Sequence, residues 1–599
     1  MNTPPAQSAV TAPSSKPGMG AIVYPGGTTF RVWLPFATRV CVSGTFNNWA
    51  TDKAPLAPEG NGYWSADLAG AKAGDRYKYV VSGPLIEGVQ WRTDPYCKSV
   101  ANTDAADGAI VEDTFDWGTW HFQMPDWNEL VVYELHVASF NGSGGKPGSF
   151  DSIIARLDYL SDLGVNAIEI LPIFGFPGAY SLGYNPAFPF DIESNYGTPD
   201  GFKGFIRKAH ERGIAVILDI VLNHFGPDDL DASLRRPDGW YVNGLDGIYF
   251  YSDWRGHTAF GPRPDYGRGE VRSYLRDSAM MWLNEYRVDG LRLDSTVNIR
   301  NVYGNNNDPM HDLPDGWSLM SWINDEVDRT MPWKITIAED LQDNSWITTG
   351  TSMGGAGFDS QWDANFYWRL VTAVTAPADQ DRDMNEVSAA LSHSLGPDAC
   401  RRLIYFNNHD QCAAINRNLR LPDRIWAGHA DSWTVRKRYT LTAGILCTTP
   451  GIPMIFQGDE FLTWGSWDPA LDLDWSQLDR FPGIRALFRD LFRLRRNVGG
   501  QTAGLKGQHI NVFHVNDTDK LIAYHRWADG GAGDDVVVIA NFANRSYDSY
   551  ALPLPRAGTW YVRFNSDANL YAPDFGNQGG YATTGAIGIG PYSLLILSQ

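Results

Sequence analysis

Apolar and polar positions alternate through much of the first hundred residues. TTFRVWLP, RVCVSGTF and DRYKYVVSG read as half-buried strands, separated by the turn signals GG, FNNW and EGNGYW. Over 20–117 this pattern predicts a small β-sandwich. Ahead of it, MNTPPAQSAVTAPSSKPG is rich in Pro, Ser, Ala and Thr, which predicts a disordered tail over 1–19. From WNELVVYELHVASF onward the period changes. Eight short apolar runs follow: VVYELHVASF, AIEILPIF, AVILDIVLNH, GLRLD, KITIAED, GFDSQWD, RRLIYFNNHD and GIPMIFQGDE. Helical patterns are legible between several of them. SFDSIIARLDYLSDLGV puts Ile153, Leu157 and Leu160 on one face, and EVRSYLRDSAMMWLNEY puts Val271, Leu275 and Trp282 together. YGTPDGFKGFIRKAHERGI has Thr198 as N-cap, Pro199 at the first helical position, a stripe of Phe202, Phe205, Ile206 and Ala209, and Gly213 as the stop.

Eight strand–helix alternations predict an α/β fold of the (β/α)₈ barrel type over 118–499, with a small insertion after the third strand at about 225–270. An open doubly wound sheet is the alternative, but no glycine-rich phosphate loop follows the first strand. After LFRLRRN the alternation returns in INVFHV, LIAYHRW, DVVVIANFA, WYVRFNS and YSLLILS, predicting a C-terminal β-sandwich over 500–599. No internal repeat is visible.

Barrels of this type carry their chemistry at the C-terminal ends of the strands. There the polar residues collect: Asp219, Asn223 and His224 after run three; Arg292 and Asp294 on run four; Glu339 and Asp340 on run five; Asn408, His409 and Asp410 on run seven; Gln457, Asp459 and Glu460 on run eight. A single polar strand end is explained by a helix cap. Five together, each with a carboxylate, point to a site.

Composition narrows the partner. A net charge of −20 argues against nucleic acid or an anionic membrane, both of which need a basic field. No apolar run is long enough to span a bilayer. The N-terminus lacks a basic start and apolar core, so a cytoplasmic location is expected if the chain begins natively there. The five cysteines are few, odd in number and without metal-ligand spacing, which predicts free thiols. The 23 Trp, 27 Tyr and 28 Phe suit sugar stacking as well as core packing.

Several carboxylates, two histidines and one arginine, with no nucleophilic Ser or Cys, fit glycoside cleavage with retention. One carboxylate attacks and a second, about 5 Å away, protonates the leaving oxygen. Arg292, two residues before Asp294 and on the same strand face, favours an ionised nucleophile. Glu339, beside another carboxylate, is placed to keep its proton. A divalent-metal hydrolase using His224 and His409 is the rival, weakened by the lack of an HxH or HExxH pair.

These residues resemble the alpha-amylase family, glycoside hydrolase family 13. DIVLNH, GLRLDSTVN, IAED and FNNHD are similar in sequence and order to its four signature regions, and the likeness runs from about Leu130 to Gly465. FRVWLP, VSGTFNNW and YKYVVSG resemble the starch- and glycogen-associated module of branching enzymes, debranching enzymes and trehalohydrolases. The resemblance implies that Asp294 is the nucleophile, Glu339 the general acid/base and Asp410 a third carboxylate holding sugar hydroxyls. It implies that Arg292 keeps Asp294 ionised, that His224 and His409 bond the sugar, and that Tyr184 in YSLGYNP stacks on it. Asp219 is expected to brace the arginine.

The implied substrate is an α-1,4-linked glucan, polymer or oligosaccharide, with hydrolysis or transfer as outcome; the oligomeric state is left open. Departures keep the subfamily open. Many amylases have a Lys-His pair three and four residues after the nucleophile, and this chain has Val297 and Asn298. ESNYGTPDGFKGFI looks like branching enzymes, FNNHDQ like amylases and trehalohydrolases, and YSLGYNP like debranching enzymes. A catalytically inactive glucan-binding homologue is the non-enzymatic alternative. No cofactor is required by this chemistry. Calcium is possible, because Asn223 matches a calcium-binding position of many amylases, but Asp228, Asp229, Asp231, Asp246 and Asp253 show no cage spacing and read as solvated carboxylates. In the same insertion Trp240, Tyr241, Tyr249, Phe250, Tyr251 and Trp254 are either glucan-stacking or packing residues.

Overall fold

Eight parallel strands close into a barrel in chain order. They are β1 (Val132–Leu135), β2 (Ala167–Ile170), β3 (Ala215–Ile220), β4 (Gly290–Leu293), β5 (Ile335–Ala338), β6 (Ser360–Trp362), β7 (Arg402–Ile404) and β8 (Ile452–Phe456). All eight predicted runs supply one strand each, and every residue of these strands is buried. Burial on both faces is why they read as continuous apolar runs rather than alternations. The chain is seen in a computed structural model that describes residues 12–100, 107–119, 121–176, 178–226 and 232–599.

The helices follow the predicted stripes, with two departures. Thr198 caps Pro199–His210 by accepting from the Gly201 N–H at 3.1 Å, and Phe202, Phe205, Ile206 and Ala209 are fully buried. The helix Gly269–Asn284 buries Val271, Leu275 and Trp282. The stretch expected as one helix after β1 divides into Phe150–Ile154 and Leu157–Leu163, breaking at Arg156, yet Ile153, Leu157 and Leu160 all stay buried. The connection from β5 to β6 carries two 3-10 turns, Ser345–Ile347 and Thr351–Met353, in place of an α-helix.

Before the barrel, two antiparallel sheets face each other. One orders Gly20–Tyr24, Gly27–Trp33, Tyr63–Ala69 and Ala57–Gly60; the other pairs Arg39–Gly44 with Arg76–Ser82 and Gln90–Arg92. EGNGYW, expected as a turn alone, contains the ends of two strands, and only Asn61 and Gly62, with φ of 51° and 83°, make the reversal. Of the expected tail, residues 1–11 lie outside the described residues. Ser14, Lys16 and Gly18 are not free: their carbonyls accept from the Arg31 guanidinium, and the Ser14 hydroxyl donates to Asp67 at 2.6 Å. This module packs on the insertion after β3, where Phe36 stacks on Trp240 at 5.5 Å and 7° and its N–H donates to Asp238 at 3.0 Å.

After the helix Pro482–Arg495, a six-stranded sheet orders His509–Asn516, Leu521–Trp527, Val536–Asn541, Ser593–Ser598, Trp560–Asn565 and Ala582–Thr583. Its partner, Tyr547–Ala551 paired with Ala586–Ile589, completes the layer. The barrel core runs unbroken into Ile522, Tyr524, Val538 and Leu594. Here the helix Trp433–Thr448 lies against the sheet, close enough at Gly444 that an added Cβ would sit 3.0 Å from Leu594. All five cysteines are free and buried. Among the described residues, no helix is long and apolar enough to cross a membrane.

Candidate active site

The barrel's strand register sets the centre of the site. Asp219 on β3 is level with Arg292 on β4. Both side chains are fully buried, and Arg292 Nη1 meets Asp219 Oδ2 at 2.6 Å. The same nitrogen reaches Asp294 Oδ1 at 3.0 Å, while Nη2 reaches Glu339 Oε2 at 2.8 Å. One guanidinium therefore bridges the two carboxylates that the spacing singled out. Its face is covered by the Trp362 ring, 4.4 Å from the ring centre. A buried cation flanked by three acids is held charged.

Backbone strain builds the other half. Ser295, directly after Asp294, has φ 40° and ψ 56°, left-handed values unfavourable for a residue with a Cβ. That kink directs the Ser295 N–H onto Glu339 Oε2 at 2.8 Å, and Thr296 N donates to the Glu339 carbonyl at 2.8 Å. The end of β4 is thus tied to the end of β5. Asn223 donates from Nδ2 to Asp294 Oδ2 at 3.0 Å, so both oxygens of Asp294 accept from a neighbour.

The two carboxylates face different electrostatics. Glu339 is only 6% exposed. Burial pushes its carboxyl up, the charges of Asp294 and Asp410 push it further, and Arg292 and the Ser295 N–H pull it back, leaving it raised to about 8. At neutral pH it carries a proton. Asp294 instead accepts one donor on each oxygen, the Arg292 guanidinium at 3.0 Å and the Asn223 amide at 3.0 Å. Asp219 is raised by burial to about 7, with Arg292 opposing.

Around this pair stand the other expected residues. Tyr184 donates its hydroxyl to Asp219 at 2.6 Å, and its ring stacks on His409 at 4.9 Å and 19°. His409 Nδ1 contacts Glu134 Oε1 at 2.6 Å, and Nε2 lies 3.5 Å from Asp410 Oδ1. Asp410, on the first turn of the short helix His409–Cys412, is the open member of the set, its side chain 46% exposed. His224 contacts Asn223 Oδ1 at 2.9 Å and the Tyr184 carbonyl at 2.7 Å, so a sugar hydroxyl reaching this ring displaces one of them.

Other strand-end residues do not join the site. Asp340 forms a two-point pair with Arg300, both distances 2.8 Å. Asp459 braces Asn407 and Arg420, Glu460 accepts from Tyr133 and Tyr159, and Gln457 accepts from the His136 N–H. Residues missed by sequence reasoning are Glu134, Glu169 and Trp362. The first two had a signal, a charge amid the apolar runs VYEL and AIEI. Trp362 had none beyond closing β6.

The residues at the expected calcium position do not fit a cage. The Asn223 amide is engaged at both ends by Asp294 and His224. Asp246 pairs with Arg235 and Asp253 with Arg255, while Asp228, Asp229 and Asp231 lie outside the described residues. Among the described residues no group of three His, Cys, Asp or Glu side chains is placed to hold a metal ion. The aromatic insertion residues divide: Tyr249, Phe250 and Tyr251 are buried, Trp240 covers Phe36, and Tyr241 and Trp254 are exposed.

Comparison with known proteins gives matches to three family models. A family model of the alpha amylase catalytic domain matches residues 132–481. Carbohydrate-binding module 48, the isoamylase N-terminal domain, matches 18–97, and the alpha amylase C-terminal all-beta domain matches 513–598. The 1,4-alpha-glucan branching enzyme GlgB of Rhodospirillum rubrum is 29% identical over 91% of this chain and 75% of its own length. The enzyme of that name from Dechloromonas aromatica is 29% identical over 94% of this chain and 92% of its own. Among solved structures, a Bacillus subtilis pullulanase type I complexed with maltose shares the fold at TM-score 0.76 and 19% identity, covering 98% of this chain and 86% of that one. An Anoxybacillus pullulanase complexed with maltotetraose does so at TM-score 0.74 and 22% identity, with 98% and 88% covered. With its catalytic-domain match spanning the whole barrel, this chain belongs to the alpha-amylase family.

Proposed function

We propose that this chain is a retaining α-glucan-active transglycosidase that cleaves α-1,4 bonds and passes the cleaved chain to a sugar hydroxyl, as a 1,4-alpha-glucan branching enzyme does. The observation that carries the reading is Arg292 bridging Asp294 and a Glu339 whose environment keeps it protonated. Asp294 attacks the anomeric carbon while Glu339 gives its proton to the departing glycosidic oxygen, leaving a glycosyl ester on Asp294. Glu339, now a carboxylate, takes the proton of the incoming hydroxyl, whose oxygen attacks the same carbon and releases Asp294. Tyr184 provides a stacking face, and Asp410 and His409 Nε2 receive the sugar hydroxyls. Arg292, with Asp219 and Asn223 behind it, stabilises the Asp294 carboxylate as it leaves. Transfer in place of hydrolysis is supported by the likeness to branching enzymes over more than nine-tenths of the chain.

The test is incubation with amylose. Falling iodine colour without new reducing ends, and with new α-1,6 branch points, is the expected result. New reducing ends instead mean hydrolysis, and cleavage of pullulan but not amylose means debranching. Asp294→Asn is expected to lower the rate on the order of ten-thousandfold. A variant that keeps wild-type turnover removes Asp294 from the mechanism.

A further inference from the structure

A cavity of about 470 Å³ begins two residues past Glu339. Its lining includes Leu341, Asp343, Trp362, Asn365 and Trp368. Trp362 joins it to the catalytic centre, because the same side chain lies over Arg292 at 4.4 Å. Trp362 is 1% exposed, and its Nε1–H, a donor that normally finds an acceptor when buried, has none among the described residues. Trp368 is 54% exposed although large and aromatic. It sits one turn after Asn365 on the helix Ala364–Thr375, so the two share a face. The polar rim is held in place: Asp343 contacts His393 at 2.8 Å through one oxygen and accepts from Asn365 at 3.2 Å through the other.

An exposed indole, an unpartnered buried donor and fixed amide and carboxylate groups make a sugar-binding combination. Ring faces cover the C–H faces of a pyranose while the polar groups take its hydroxyls. The chemistry says which sugar. Glu339 protonates the departing oxygen and later deprotonates the incoming hydroxyl, so both chains lie on the Glu339 side of the cleaved bond. We infer that this cavity seats the acceptor glucan, with Trp368 as the stacking platform and the Trp362 indole N–H as a donor to an acceptor hydroxyl. The inference rests on the transglycosidase reading.

The test uses the full chain with amylose as donor and labelled maltotriose as acceptor. Trp368→Ala is expected to raise the acceptor KM about tenfold, equivalent to losing one stacked ring, and to lower the transfer-to-hydrolysis ratio in parallel, because water needs no platform. Trp368→Phe, which keeps a ring, is expected to recover most of both. In an Asp294→Asn background, adding Trp368→Ala is expected to weaken maltoheptaose binding by calorimetry. A wild-type acceptor KM and ratio in Trp368→Ala, with wild type active on amylose, overturns the acceptor site alone. A wild type inert on amylose overturns the transglycosidase reading first and this site with it.

Discussion

Glu134 holds His409 at two points inside the barrel: Oε1 meets the ring Nδ1 at 2.6 Å, and Oε2 accepts the His409 backbone N–H at 3.1 Å. Glu134 is fully buried and His409 is 2% exposed. Burial pushes the imidazole down, but the charges of Asp410 and Glu134 outweigh it and lift it to about 9. His409 is thus an imidazolium at neutral pH, with Nδ1 donating to Glu134 and Nε2 left for a sugar hydroxyl. A glutamate on β1 sets the charge of a histidine after β7, which makes Glu134 a positioning residue.

Replacing Glu134 by Gln removes one of the two anions that hold this proton. The imidazole is then expected to titrate closer to the ordinary value of about 6.5. At pH 5.5 the KM of the variant should resemble wild type; at pH 8, where only wild type retains the imidazolium, it should be several-fold higher. KM measured against pH checks this, and parallel wild-type and variant profiles would sink it.

Glu339→Gln removes the proton donor but leaves Asp294 in place. The loss should follow how much the leaving group needs that proton. On amylose kcat/KM should fall about 10²–10⁴-fold, and on an aryl α-glucoside with a low-pKa phenol the loss of the first step should be much smaller. Pre-steady-state phenol release compares the two. Equal losses on both substrates would assign Glu339 another role. In the wild type, the alkaline limb of the rate should lie near 8, where Glu339 gives up its proton.

Glu169, on β2 beside Glu134, is fully buried, and neither carboxyl oxygen has a hydrogen-bond partner among the described residues. Burial and the Glu134 charge raise it well above the usual carboxylate value of 4.5. The unfolded chain loses this proton near 4.5 while the folded chain keeps it, so above that pH the folded state binds more protons and stability falls as pH rises. Gln does not titrate. Glu169→Gln should therefore gain stability relative to wild type as pH rises from 4.5 to 8, by about 1–3 kcal/mol at most. Denaturant melts at several pH values read this difference, and a constant offset contradicts it.

Lys437 and Asp567 tie the barrel helix Trp433–Thr448 to the C-terminal sheet domain through an ion pair with both side chains fully buried. Lys437→Met leaves the Asp567 charge buried against the Gly576 and Gln578 N–H groups alone, a loss of about 3–5 kcal/mol. A lowered thermal midpoint, partly restored by adding Asp567→Asn, is expected. An unchanged midpoint would mean that water reaches Asp567.

Much of the fold was written locally. Strand residues buried on both faces must be apolar, so all eight barrel strands stood out as runs, and Thr198 and Pro199 marked a helix start by hydrogen-bonding rules that act within one turn. The break at Arg156 and the helix-free β5–β6 connection did not stand out, because propensity does not report how a segment must bend to pack. Arg292 and Asp294 were legible as partners because strand period two puts them on one face.

What the sequence by itself determined was the alternation of elements, the families of polar strand ends and the pairing of Arg292 with Asp294, all of which depend on neighbours in the chain. Only the tertiary structure decided which strand ends meet. It turned Asp340, Asp459 and Glu460 toward structural partners, brought Glu339 onto the free nitrogen of Arg292, and set Glu134 beneath His409. The physical reason is closure: β1 and β7 lie 267 residues apart between Leu135 and Arg402, yet each flanks β8 in the barrel, and no local rule measures that distance.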